Sequence, residues 1–407
     1  MLNIAQAFDS SELSNATGEV IRALDSDMFS SRIRPRMKVA VTVGSRGIDR
    51  LAEVLRGIID WLKRQDAEPY IVPAMGSHGG GTSRGQTEVL DKLGIREDTV
   101  GAPIVPGSET VELGHIEDVP VYVAEHVTHA DAIVVVNRIK PHTSYSGPYE
   151  SGLVKMLAVG LGLAPGAAAV HARGAKGLAN LVPEVARVIL RKMPVVFGVA
   201  LMENGFNHLK KIEAIPAEGI MDREPALLDE ARMLSPGLPF DEADVLVVDR
   251  IGKDISGTGM DTRVIGRLFV SSEQEPEGPR INRIVALRLS QESRGNAYGI
   301  GLADVTTRAL IRSMDISVTQ ANAMASTFVE RVRIPLTLSS DREAIVAAVL
   351  TCSRPGPATV RIARIQDTQN LSELWVSEPL LRSIHKPVKI LSRPTGWRFD
   401  RAGNLLS

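Results

Sequence analysis

The chain has a single cysteine among its 407 residues, Cys352. An internal disulfide is therefore excluded, and so is a zinc site built from several thiolates. Cys352 itself reads as a small buried apolar residue. Aromatic side chains make up only 4% of the sequence, so any large core must be filled by Val, Ile, Leu and Ala. The net charge is −1. No bulk excess of positive charge is available to neutralise a phosphate backbone, which argues against a nucleic-acid partner. Long hydrophobic runs are missing too. The most extended, residues 156–170, is broken by glycine and proline and is too short to span a bilayer. The opening residues MLNIAQAFDSSELS show no basic segment followed by an apolar block. No secretory leader is expected, and the reading is a cytoplasmic protein with no membrane partner.

What is present is an ordinary globular composition, 44% hydrophobic and 23% charged. At this length two domains are expected. MKVAVTVG (37–44) is an apolar, β-branched run ending in glycine and reads as a buried parallel strand. In residues 48–65, Leu51, Val54, Leu55, Ile58, Ile59 and Leu62 recur at helical spacing. EPYIVPA (68–74) reads as the next strand, which completes a right-handed βαβ unit. SRGQTEVLDKLG (83–94) reads as a helix opened by a Ser83–Gln86 capping box and stopped at Gly94. Strands are expected at 130–139 and 194–203, and helices at 151–160 and 182–193.

The Pro- and Gly-rich stretch 233–242 marks a boundary. Beyond it, strands are expected at 243–252, 281–290 and 358–365, and a helix at 341–351. The expected architecture is α/β: two α/β domains, residues 1–238 and 239–407, with a cleft between them. The glycine-rich loops follow strands at their carboxyl ends, where open α/β sheets bind ligands. Asp304, Asn296 and Asn322 of the second domain read as capping residues.

Several familiar templates fail. Gly160-x-Gly162 and Gly299-x-Gly301 lack the third glycine of a dinucleotide loop. Gly76 to Gly81 has the spacing of a P-loop, but Thr82 stands where lysine is required. There is no G-x-S-x-G elbow and no H-E-x-x-H. His126 and His129 read as a solvated helix end.

The unusual segment is NRIKPHTSYSGPYESGLVKMLAVGLGLAPGAAAVH (137–171). It places His142, Lys155 and His171 among glycines and a helix start, and the earlier loop MGSHGGGT (75–82) adds His78. Such residues in such surroundings describe a site in loops, not a core. Ser151 reads as the opening of a helix whose amides would be free to receive an anion. One firm imidazole with a lysine amine and two further histidines is a poor set for zinc, which takes three or four protein ligands. It suits a centre whose cofactor brings most of the ligands.

The run from Lys140 to His171, together with the glycine-bounded His78 loop, resembles the lactate racemase family, whose members carry a nickel-pincer nucleotide. The resemblance covers much of 40–210. It implies that Lys155 tethers the pyridinium cofactor through a thioamide and that His171 is the protein ligand to nickel. It implies that His78 and His142 are the acid/base pair on the two faces of the substrate carbon. Arg46, in the loop GSRG, would lie near the substrate carboxylate, and Lys140 would help bind an anion. The cofactor would have to be supplied by separate synthesis enzymes. The loops GSHGG and GSRG depart from the lactate enzyme at substrate-facing positions, which implies a small-molecule substrate that is another 2-hydroxy acid, larger than lactate or a sugar acid. No feature of the sequence sets an oligomeric state.

The chemistry is consistent with those residue types. The C–H of a 2-hydroxy carboxylate is a poor acid because a negative charge already sits beside it, so its hydrogen is better moved as hydride. Inversion then needs two proton acceptors on opposite faces, a role that histidine fills near neutral pH. An arginine gives the carboxylate a two-point grip. Two other readings stand beside this one. The first is a metal-dependent hydrolase with His78, His142 and His171 as ligands; the second is a non-catalytic small-molecule binding protein.

Overall fold

A computed structural model of the chain describes residues 1–270, 273–353 and 356–406. Both units of the chain are α/β. One unit is Asp9–Ser235; the other combines Met1–Phe8 with Pro236–Ser407. The N-terminal segment is a correction to the sequence reading, which assigned residue 1 onward to the first domain. Strand β1 (Leu2–Gln6) instead pairs antiparallel with β14 (Glu373–Val376) and β15 (Val388–Ile390) of the C-terminal unit. Its alternating burial, with Leu2, Ile4 and Gln6 inward, gives it one core face.

The unit Asp9–Ser235 is built on a five-stranded sheet in the order β3-β2-β6-β7-β8. These are β2 (Lys38–Val43), β3 (Glu68–Pro73), β6 (Ala132–Arg138), β7 (Val195–Glu203) and β8 (Leu209–Pro216). The first four run parallel and β8 closes one edge antiparallel. The helix Leu51–Arg64 connects β2 to β3 as the apolar stripe required, and all six stripe residues are buried. Each fully buried Leu or Ile of that stripe contributes about 2 kcal/mol through apolar burial. With few aromatics available, one cluster does much of the space filling: Phe197 packs edge-on against both Phe29 and Trp61, at 5.4 and 5.9 Å. A separate hairpin, β4 (Thr110–Ile116) with β5 (Val119–Ala124), was not legible in the sequence.

The strand order sets where a ligand can approach. From β2 the chain moves to β3 on one side and then returns to β6 on the other. The switch point lies between the carboxyl ends of β2 and β6, where the flanking loops diverge and leave a crevice. The loop after β2 carries Gly44-Ser45-Arg46, and the loop after β6 carries Lys140 to Ser151.

The second unit has an eight-stranded sheet, β12-β11-β10-β9-β13-β14-β1-β15. Its parallel strands are β9 (Glu242–Ile251), β10 (Arg280–Leu289), β11 (Val305–Thr307), β12 (Leu336–Leu338) and β13 (Ile362–Ile365). Cys352 is buried in its core. Asn296 donates to Asn322 at 3.1 Å, and Asp304 pairs with Arg267 at 2.8 Å, which fits structural roles for all three of the residues noted above. Among the described residues no single helix is long and apolar enough to cross a membrane. One bent pair, Leu153–Gly160 with Leu163–His171, passes jointly on length and composition, and its apolar residues are mostly buried within the protein.

Candidate functional site

The three loops singled out in the sequence lie at the carboxyl ends of neighbouring parallel strands: β3, β2 and β6. The loop after β3 turns through His78-Gly79-Gly80-Gly81. All three glycines have φ near +67°, a left-handed backbone that side-chain-bearing residues rarely take. The glycine run is therefore what lets the chain reverse and present His78 at the surface. Its imidazole Nδ1 hydrogen-bonds Ser45 Oγ of the loop after β2, a partner that sequence reasoning missed. The following helix, Ser83–Lys92, is capped by Thr82, whose hydroxyl accepts from Gly85 N at 3.1 Å. This replaces the expected Ser83–Gln86 box. Gln86 is instead buried, exchanging two hydrogen bonds with the Gly107 backbone.

The loop after β6 is a closed excursion. Lys140 and Ser151 exchange backbone hydrogen bonds at 2.8 and 3.1 Å across its neck. Glu150, fully buried, holds the interior by accepting from His142 N at 2.5 Å and from Gly147 N at 3.2 Å. Arg232, arriving from the helix Ile220–Leu234, bonds the same carboxylate at 2.6 Å. His142 Nδ1 accepts from Ser144 N at 3.0 Å. The imidazole packs on the Tyr145 ring, with centroids 4.4 Å apart. Tyr145 is itself buried and donates to Glu150 O at 2.9 Å. Burial, and then the nearby carboxylates Glu150 and Glu224, push its phenol far above the ordinary range.

Lys155 follows one turn later. Its amine lies 5.6 Å from the centroid of the same Tyr145 ring, so one aromatic ring joins His142 to Lys155. The helix that carries it does not begin at Ser151. It begins at Leu153, runs α-helical to Lys155 and continues as a π-helix over Met156–Gly160. Leu161 N reaches back to Met156 O at 2.9 Å to close that wider turn. Nor are its first amides open to an anion, because Val154 N already donates to Glu224 Oε2 at 2.9 Å. After a bend of 105° the chain returns as the helix Leu163–His171, and this reversal brings His171 back toward Lys155.

The electrostatics follow from that arrangement. Lys155 keeps some accessible surface, yet protein surrounds its amine. Loss of water, and then repulsion from Arg46, pull its pKa down to about 7 against the attraction of Glu150. His171 is pulled down to about 4, first by loss of water and then by the Lys155 charge. Its imidazole is neutral at physiological pH, the form that ligates metal. Its Nδ1 is buried with no hydrogen-bond partner. Arg46 is exposed as a residue. The protein around its head, and then the like charge of Arg138, hold its pKa below the usual value. Arg138 is neutralised by Glu203; neither Arg46 nor Lys155 forms an ion pair of its own among the described residues.

Arg46, Lys155 and His171 thus form one electrostatically coupled row, and His142 joins it through Tyr145. His78 is tied to the same region by Ser45, the neighbour of Arg46. Lys140 stands at the neck of the His142 loop. Among the described residues no three His, Cys, Asp or Glu side chains gather as a metal-binding set. The three-imidazole site of the hydrolase reading is therefore not formed: His78 is held at Ser45, His142 on Tyr145, and His171 near Lys155.

A family model described as a domain of unknown function, DUF362, matches residues 39–229, a stretch inside the unit that carries these residues. No curated protein is similar to the chain in sequence. Solved structures that share the fold include two that overlap most of this chain. The lactate racemase apoprotein from Thermoanaerobacterium thermosaccharolyticum aligns with a TM-score of 0.53 at 11% identity, over 91% of this chain and 99% of that one. A protein from Thermotoga maritima aligns with a TM-score of 0.50 at 13% identity, over 88% and 99%.

Proposed function

We propose that the protein is a racemase or epimerase of a 2-hydroxy acid that works with a nickel-pincer nucleotide. The observation that carries this reading is the coupled row Arg46–Lys155–His171. It combines an arginine with no carboxylate ion pair among the described residues, an amine with a pKa near 7 and a neutral imidazole whose buried Nδ1 is unpartnered. A site of this kind favours anions and offers one imidazole to a metal. It suits a nucleotide that brings its own further ligands better than it suits a bare zinc ion. The racemase likeness in fold supports the same reading.

On this reading Lys155 holds the cofactor covalently, and its partly deprotonated amine makes it a competent nucleophile for that attachment. His171 is the protein ligand to nickel. When bound, the cofactor supplies a hydride acceptor of the kind that 2-hydroxy acid inversion needs. The chain supplies the rest. Arg46 grips the substrate carboxylate, with Lys140 adding positive charge at the loop neck. His78 and His142, carried on loops from different strands, take the hydroxyl proton on one face and return it on the other. The departures at GSHGG and GSRG favour a 2-hydroxy acid other than lactate.

The test is intact-mass measurement and peptide mapping of the protein produced together with the cofactor-synthesis enzymes. A cofactor adduct on Lys155 is expected; an adduct on another residue, or none, overturns the reading. With a substrate in hand, deuterium at C2 should be retained after inversion. Its washout to solvent would indicate proton exchange instead.

A further inference from the structure

We propose that Glu224 is a positioning residue that sets the place of the Lys155 amine, an inference that rests on the reading of Lys155 as the cofactor tether. Glu224 lies on the helix Ile220–Leu234, seventy residues along the chain from the amide it binds, and is 1% exposed. The short helix bearing Lys155 has Gly152 at its N-cap position, which offers no side chain to cap it. Glu224 supplies the missing cap from outside, accepting from Val154 N at 2.9 Å. Gly152 is what allows the approach, since a Cβ at that position would overlap the Glu224 carboxyl. The amine of interest belongs to the very next residue after Val154.

Stability alone does not account for a carboxyl here. One of its oxygens, Oε1, is buried without a hydrogen-bond partner, and burial pushes the group up to about 7 against the pull of the Val154 and Leu153 amides. A leucine would fill the space without that desolvation cost. What the carboxyl adds is a directed bond to the first turn of a segment that turns π-helical straight after Lys155 and has little regular helix to hold it. The same helix also steadies the adjoining loop, through Arg232 to Glu150 and through Tyr149, whose hydroxyl donates to Met221 O at 2.8 Å. One helix therefore fixes both the His142 loop and the Lys155 turn, and Glu224 is its contact with the lysine arm.

The experiment is acylation of the purified protein at pH 7.5 with a limiting amine-reactive reagent. Labelling of Lys155 is read by peptide mass against the exposed Lys92 in the same sample. Glu224→Asp withdraws the carboxylate by one methylene while keeping its charge. It should lower the Lys155:Lys92 ratio by roughly fivefold, the scale of one lost hydrogen bond, because an amine released from its surroundings regains its proton. Glu224→Gln keeps an acceptor oxygen at full reach and should preserve the parent ratio. Gly152→Ala, which pushes on the same carboxyl from the helix side, should repeat the fall with Glu224 intact and keeps the test open if Glu224→Asp folds poorly. A parent-like ratio in Glu224→Asp or in Gly152→Ala, or an equal fall in Glu224→Gln, overturns the proposal. A cofactor adduct mapped to a different residue would end the tether reading and leave the acylation result standing, so the two fail separately.

Discussion

Ser45 Oγ is hydrogen-bonded to His78 Nδ1 across thirty-three residues of sequence. The bond joins the loops after β2 and β3 and engages Nδ1 of the imidazole. A hydroxyl can donate or accept, so the bond orients the ring in either neutral tautomer. Ser45→Ala is expected to lower turnover on the 2-hydroxy acid by on the order of tenfold with little change in KM. His78→Ala should cost roughly a hundredfold or more, the usual weight of a positioned acid/base group. Steady-state kinetics of the cofactor-loaded enzyme measure both. Equal losses in the two variants would mean that Ser45 does more than orient the ring.

Much of this frame was legible in the sequence for physical reasons. The run 37–44 could only be a buried strand, and the apolar stripe on 51–62 could only face a sheet, so β2, its helix and β3 followed. Loops after parallel strands point to one edge, which brought Arg46, His78 and His142 to the same end of the sheet. What stayed hidden depends on contacts between distant parts of the chain. Nothing local to Glu224 or Arg232 says that one binds the Val154 amide and the other Glu150. The π-helical turn after Lys155 was equally invisible, because an i→i+5 bond uses the same apolar residues as an α-helix. The Ser83–Gln86 pattern misled because Gln86 found a better partner in the Gly107 backbone. The first strand was misassigned because its pairing partners lie more than three hundred residues away.

The lysine and the histidine should be separable by what each variant retains. Lys155→Ala is expected to abolish the covalent adduct in intact-mass spectra. His171→Ala should keep the adduct mass and lose nickel, measured by elemental analysis after gel filtration. Loss of the adduct in His171→Ala at normal expression and folding would instead make the imidazole part of the attachment step. Stoichiometric nickel in that variant would remove it as a ligand.

The Arg232–Glu150 contact makes a stability claim. Glu150 is fully buried and Arg232 is its charged partner at 2.6 Å. Arg232→Met would remove the charged side chain bonded to that carboxylate, so a loss on the order of 3 kcal/mol is expected from breaking a buried pair. Adding Glu150→Gln should recover part of it, because the amide can still accept from His142 N and carries no charge to strand. Urea denaturation of the four members of the cycle tests this. Additive effects in the double variant would mean that the two side chains do not act as a pair.

The depressed pKa values of Lys155 and His171 also predict how stability runs with pH. Both groups bind a proton less readily in the folded protein than in the unfolded chain, so the unfolded state takes up more protons wherever pH lies between the two values, and stability rises with pH there. For His171 the window is about 4 to 6.5; for Lys155 it is about 7 to 10.5. Below pH 7 the lysine is a protonated cation held among protein atoms beside Arg46, which costs the native state free energy. Lys155→Met should therefore raise the melting temperature over the parent at pH 6, and that advantage should shrink as pH approaches 10. Thermal melts of the cofactor-free protein at a series of pH values provide the comparison. A Lys155→Met advantage that is constant across the range, or that grows with pH, would show that the parent lysine keeps its ordinary basicity and that Arg46 is too far away to repel it.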